Sequence, residues 1–342
     1  MRSRPSAFIR FLCPCLFVLP VLLAPVNARA AKAPDYTLPL KNLTVLQGVP
    51  DRDLAPARLP ERRGLTPGES PVTGLPWQGA YRPMLVQIGN AVGKVKTPGK
   101  TVKTAGVGAY APWGAQDADI LYESALTDRG ATRFTMLFQD CFAASEPVDS
   151  VGPVRSVRRG ALYLRAEWQA SLVYSGGYLG MFGWRDRYTP VVMEQTGSTQ
   201  AGAMFNLLSA AYQAERNRVK GVKAPSNLNV NLQALAARIP ESFASQPRAF
   251  CFADESPYGQ AYARADTVHL DWGEPTSISH LVYDATQNAY LRYCGPGVKP
   301  QNWLVFQSFV SAEDRDPAHA VTLAFANVIV QRVPPETQTA DG

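Results

Sequence analysis

The strongest constraint on this chain is a strand–turn–strand–helix pattern between Ile120 and Ala170. Ile120 to Leu126 and Arg133 to Phe138 have the composition of strands and flank the turn sequence Thr127-Asp128-Arg129-Gly130. Val154, Val157, Ala161, Leu164 and Trp168 then recur at helical spacing, which predicts a helix from Pro153 to about Ala170 with proline near its start. Leu172 to Tyr174 supplies another strand, closed by a turn at Gly176-Gly177. Upstream, Met84 to Ile88 reads as a buried strand, and Lys94 to Gly114, with its glycines and alternating Lys and Thr, as a loop. Downstream, Gln200 to about Lys220 and Leu232 to Ile239 read as helices. After Ser245-Gln246-Pro247 the character changes. Thr267–Trp272, Ile278–Tyr283, Ala289–Tyr293 and Val321–Val330 all read as strands. The expected fold class is therefore a mixed α/β (α+β) domain over residues 82–245, followed by a smaller β-rich domain over residues 246–342.

The start of the chain sets the expected compartment. Arg2, Arg4 and Arg10 precede an apolar run from Phe11 to about Val26, and Ala28-Arg29-Ala30 offers small residues for a signal peptidase. The run, broken by Pro14, Pro20 and Pro25, is short of the roughly 20 apolar residues of a membrane span. Residues 1–30 read as a cleaved signal peptide, with cleavage near Ala30 and export to the periplasm or beyond. Cys13 and Cys15 lie mid-run, poorly placed for lipid attachment, and no later stretch reaches spanning length. Residues 31–81, dense in proline, read as an extended leader strapped over the domain or hanging from it.

Cleavage also changes the charge. Of 34 Lys+Arg, four (Arg2, Arg4, Arg10, Arg29) leave with the signal, so 30 face 28 Asp+Glu. A nucleic-acid partner loses its main support. Cys141, Cys251 and Cys294 survive, and an oxidising compartment permits a Cys251–Cys294 disulfide, three buried thiols being the alternative.

Arg155, Arg158 and Arg159, with Arg165 further along, would share one face of the predicted helix and crowd its first turns. The positive end of a helix disfavours cations, so the cluster invites an anion. Two readings follow. In one, Glu123, Arg133 and Arg155 form a buried ion-pair network that fixes helix on sheet. In the other, the arginines hold a carboxylate or phosphate by forked hydrogen bonds. Glu123 is also the candidate general acid or base. Pairing it with Asp119 or Asp128 as a glycosidase site is unfavourable, since Asp119 would stand about 13 Å away along a strand.

Other chemistry finds less support. His269, His280 and His319 all lie late in the chain, and Ser156 and Ser175 lack the Gly-x-Ser-x-Gly context of an exposed nucleophile. A hairpin turning near Glu274-Pro275 would set His269 opposite His280, but a metal site needs a third ligand, for which Asp271 is the one obvious residue. Gly177, Gly180 and Gly183 do not make a dinucleotide fingerprint. Neither a metal nor a cofactor is expected.

Several fragments in order carry a resemblance: Pro71-Val72-Thr73-Gly74-Leu75-Pro76, Arg82-Pro83, Asn90, Ala118-Asp119-Ile120-Leu121-Tyr122-Glu123, Thr132-Arg133-Phe134 and Gly152-Pro153-Val154-Arg155-Ser156-Val157-Arg158. Gly176-Gly177, Asn206-Leu207, Tyr290-Leu291-Arg292 and Asn327-Val328 continue it. Together they resemble the YerB-like bacterial envelope family, a domain of unknown function, over roughly Pro71 to Gln331. The resemblance implies an exported protein, often a lipoprotein, with an α/β first domain and a β-rich second one. Links to the cell wall and sporulation have been suggested for the family, and it implies no established activity. The chain departs from the family at Tyr174 and at Met204-Phe205-Asn206, where relatives usually carry histidine, and at Gly89, where they usually carry an acid. It also stops soon after Asn327-Val328, where relatives continue, so the second domain is abbreviated or the sequence incomplete.

The resulting expectation is an exported, non-catalytic protein that binds a wall polymer, an anionic ligand or an envelope partner. Arg133, Arg155, Ser156, Arg158 and Arg159 would form its site, with Asn90 and Asn206 as further candidates. The alternatives are a wall glycan or peptide hydrolase or transferase using Glu123, and a degenerate enzyme that has lost its histidines.

Overall fold

A computed structural model describes residues 67–331, apart from 91, 98–99, 108–109, 127–130, 145–146, 178–202, 242, 244–249, 251–264, 273–277 and 298. The expected signal peptide, the leader as far as residue 66, Asp128, Gly180, Gly183 and Cys251 lie outside the described residues.

The first strands are β1 (Met84–Gly89), β2 (Val92–Thr97), β3 (Lys100–Ala105), β4 (Ile120–Ala125), β5 (Thr132–Phe138), β6 (Ser171–Tyr174) and β7 (Met204–Asn206). There follow β8 (Arg216–Arg218), β9 (Leu228–Val230), β10 (Thr267–Leu270), β11 (Ser279–Asp284) and β12 (Ala289–Cys294). Four two-residue strands end the series: β13 (Leu304–Val305), β14 (Gln307–Ser308), β15 (Val321–Thr322) and β16 (Ala324–Phe325). The α-helices among the described residues are α1 (Arg159–Trp168) and α2 (Leu232–Ala236).

The principal sheet runs β4-β5-β1-β6-β7, antiparallel from β4 to β1 and parallel from β1 to β7. Every residue of β1 and β5 is buried, because both faces of the sheet are covered. Helix α1 covers one face, where Trp168 Nε1 donates to the Tyr122 hydroxyl at 2.7 Å. The other face meets a second sheet, β10-β11-β12-β13, with β16 also paired to β12. Phe134 of β5 packs edge-on against Phe306 just beyond β13. A single buried apolar cluster runs from Val72 through both sheets to Phe325.

The molecule is more sheet-rich than the α/β class expected, and three segments account for the difference. Residues 153–158 are not helical. Their backbone groups are taken by the sheet, Arg155 N donating to Gln87 O and Val157 N to Gly176 O, so α1 starts only at Arg159. Gln200–Lys220 was expected as a helix, yet from residue 203 it holds β7, a short 3-10 turn at Ala210–Tyr212 and β8. Asn206 redirects the chain there by accepting from Leu208 N at 3.2 Å, a local side-chain bond that competes with helix. Lys94–Gly114, expected as a loop, contains most of the β2–β3 hairpin, with Lys94 opposite Lys103 and Val95 opposite Val102. Its alternating Val, Thr and Lys were the strand signal.

The end of the leader is part of the fold. Ser70 and Thr73 each donate a hydroxyl to Asp140 at 2.6 Å, Trp77 N donates to Gly68 O, and Val72 is fully buried.

Candidate functional site

The arrangement of charge follows from strand register. In the β4–β5 ladder Glu123 stands opposite Phe134 and Ser124 opposite Arg133. Side chains alternate along a strand, so Glu123 and Arg133 leave opposite faces of the sheet. The expected Glu123–Arg133–Arg155 network therefore does not form.

On the face toward the second sheet, Glu123 meets Arg292 at 2.9 Å, the two side chains being 8% and 3% exposed. The carboxylate also accepts from the Thr132 hydroxyl at 2.8 Å, the Ser279 hydroxyl at 3.0 Å and Asn90 Nδ2 at 3.2 Å. Arg292 lies over the Phe306 and Phe134 rings, 4.2 and 5.1 Å from their centroids, and donates to Ser279 Oγ and Cys294 Sγ. Cys294 is thus a free buried thiol and not half of a disulfide with Cys251. Burial holds it protonated, its pKa pushed up to about 11 despite the neighbouring guanidinium. Asn90 belongs to this cluster, away from the arginines it was grouped with. A carboxylate with four partners in a sealed interface is structural, which removes the geometric support for Glu123 as acid or base.

On the α1 face the balance is reversed. Arg133 is 5% exposed, donates to Ser156 O at 3.3 Å, and has an Nε without a hydrogen-bond partner. Arg158 donates to Val157 O at 2.9 Å and to the same Ser156 O at 3.5 Å. Arg155 passes over Gly89, where an added Cβ would lie 3.0 Å from its Cγ, and donates to Ser226 Oγ at 3.1 Å. Gly89 is itself opposite Arg133 in the β1–β5 ladder. Among the described residues none of the three makes an ion pair with an acid. Burial first, and then Arg155 and Arg158, pull the Arg133 guanidinium down to about 9. Burial also lowers Arg155 and Arg158, the latter further depressed by Arg155. Arg155, Ser156 and Arg158 are half-buried, so the cluster is reachable from solvent. Arg158 is the N-cap of α1 and makes no side-chain cap, leaving the helix's positive end facing this site. Arg159 is the first residue of α1. Arg165, one face further along, is 2% exposed and lies within electrostatic reach of Tyr174.

The remaining candidates have local roles. Asn206 Oδ1 accepts from Gly176 N at 3.0 Å, holding the turn whose carbonyl in turn takes Val157 N. Asp119 accepts from Gln139 N and Asp140 N, and burial followed by Asp140 raises its pKa well above the ordinary carboxylate range. His269 stands opposite His280 as the hairpin reading required, with Nδ1 atoms 2.7 Å apart. His280 Nε2 lies 3.0 Å from Gly295 O, which as an acceptor requires its proton there, and its ring stacks on Trp303. Among the described residues no three His, Cys, Asp or Glu form a metal-binding group.

Sequence reading missed Arg292, Ser279 and Ser226. Arg292 alone had a usable signal, as a lone cation in the otherwise apolar Ala289–Cys294 strand, which implies a buried partner acid.

Comparison with known proteins finds a family match over part of the chain and adds no chemistry. Among solved structures the chain is similar to YerB protein from Bacillus subtilis, at 19% identity and TM-score 0.44, covering 70% of this chain and 72% of that one. No curated protein matches. Residues 104–245 match the family described as "Protein of unknown function (DUF3048) N-terminal domain". That segment contains Glu123, Arg133, Arg155 and Arg158, and over it the chain is similar to that family.

Proposed function

We propose that this is an exported, non-catalytic envelope protein that binds an anionic ligand at Arg133, Arg155 and Arg158. The observation that carries the reading is the convergence of these three guanidinium groups without an ion-paired acid among the described residues. Two of them share one backbone carbonyl. A neutral acceptor cannot offset that much buried positive charge, and an external anion can. Export is supported by the basic, apolar and small-residue segments of residues 1–30. Among the described residues no helix is long and apolar enough to cross a membrane.

Calorimetric titration of the processed protein with inorganic phosphate, acetate and soluble wall fragments tests the binding reading. Wild type is expected to bind an anion, and the Arg155→Ala, Arg158→Ala double variant to lose at least about tenfold in affinity, since each charge-assisted hydrogen bond contributes about 1.5–3 kcal/mol. Unchanged binding by a folded double variant would reject the site. N-terminal sequencing of protein recovered from intact cells tests export; a chain still beginning at Met1 would reject it.

A further inference from the structure

Resting on the anion-site reading above, we infer that the ligand is a phosphoryl group carrying two negative charges, free or as a monoester. Three features of the site point to this class over a carboxylate or a phosphodiester.

The first is charge. Three guanidinium groups and the positive end of α1 face one another, and no described acid pairs with any of the three. A monoanion would leave most of that charge unmatched, whereas a phosphate monoester carries close to two charges near neutral pH, with a second pKa of about 6. The second is shape. The three side chains reach the site from separate backbone positions: Arg133 from β5, Arg155 from the extended segment beside β1, and Arg158 from the cap of α1. A carboxylate offers two oxygens in one plane, suited to one or two forks. A terminal phosphoryl group offers three oxygens spread in space, one for each cation. The third is the buried donor. Arg133 is 5% exposed and its Nε is unpartnered, so a donor already removed from water waits at the inner end of the site.

Gly89 provides a control. A Cβ there would meet Arg155 Cγ at 3.0 Å and Cδ at 3.5 Å, with Pro153 Cγ at 3.5 Å, so Gly89→Asp sets a carboxylate against the cluster from inside the protein once Arg155 gives by a few tenths of an ångström. That variant should still fold while losing the external anion.

The experiment is titration of the full processed chain, at low salt, with methyl phosphate, inorganic phosphate, dimethyl phosphate and acetate. Methyl phosphate is expected to bind at least about tenfold more tightly than dimethyl phosphate or acetate at pH 7.5, and to weaken about tenfold by pH 5 as its second proton returns. Inorganic phosphate run beside it separates a free anion from a carried phosphoryl group. Gly89→Asp is expected to abolish methyl phosphate binding while still unfolding in one cooperative transition. Equal affinity for dimethyl phosphate or acetate would overturn the dianion assignment while leaving an anion site in place. Binding of none of the four by wild type would overturn both readings. Full binding by Gly89→Asp would move the ligand elsewhere on the molecule.

Discussion

Glu123 and Arg133 leave adjacent strands of one sheet, a single register position out of step, and end in opposite electrostatic circumstances. Glu123 is enclosed with Arg292, Thr132, Ser279 and Asn90, so its charge is matched and its lone pairs are used. Arg133 is as deeply buried but faces two further cations and a carbonyl. Burial alone therefore does not distinguish a structural charge from a functional one; the completeness of its partners does. A satisfied pair stabilises the fold that contains it. An unsatisfied one lowers stability and is retained only if something else compensates.

The contrast can be broken most forcefully at Arg292. Arg292→Ala leaves the Glu123 carboxylate buried beside hydroxyl and amide donors alone, and should cost about 3–5 kcal/mol in urea unfolding. A loss under about 1 kcal/mol would mean that the pair is not the closed structural element described here.

Acid tests the same side of the sheet. His280 follows Ser279, and burial together with His269 and Arg292 holds its imidazole down to about 3 although the Gly295 carbonyl acts against this. Folded His280 stays neutral while the unfolded chain takes up a proton below about pH 6.5. Its contribution is therefore present above that pH and is lost as pH falls, amounting to about 2 kcal/mol by pH 5. Unfolding at pH 7 and pH 5 should show the drop in wild type and a smaller drop in His280→Phe. Identical drops in the two proteins would remove His280 as the cause.

On the unmatched side the sign should invert. Arg133→Met retains much of the apolar stem and removes a buried charge lacking an ion-paired acid, so stability should hold or rise by about 1 kcal/mol. If Arg133→Met costs as much as Arg292→Ala, Arg133 is structural and the distinction between the two faces collapses. The smallest effect belongs to Gly89→Asp, whose carboxylate pairs with half-buried Arg155 but presses on its Cγ at 3.0 Å, so stability should stay within about 1 kcal/mol of wild type. A clear loss of stability there would show that the cluster tolerates no added side chain.

Much of this was legible one element at a time. Alternation identified β4, β5 and the β10–β11 hairpin closely enough to set His269 opposite His280. The arginine cluster was legible too, but a shared helix face is not what gathers it: residues 153–158 are drawn against the sheet, so Arg155 and Arg158 come from extended backbone. Spacing of Val154 and Val157 at three residues fits a helix, and backbone partners in β1, in β9 and just beyond β6 decide against one. The partner of Glu123 was out of reach for another reason. Arg292 lies 169 residues away, and no local pattern specifies which sheet will close over β4. The same limit applied to register, where one residue of difference in the β4–β5 ladder separates a pairing of Glu123 with Arg133 from their placement on opposite sides.

The two hydroxyl bonds from Ser70 and Thr73 to Asp140 determine where the protein can be shortened. A chain cut to begin at Arg82, the boundary that proline content suggests, would uncover a partly buried carboxylate and strip Val72 from the core. Trimming that stops short of Gly68 spares both, so the shortest chain that keeps this strap begins at about that residue.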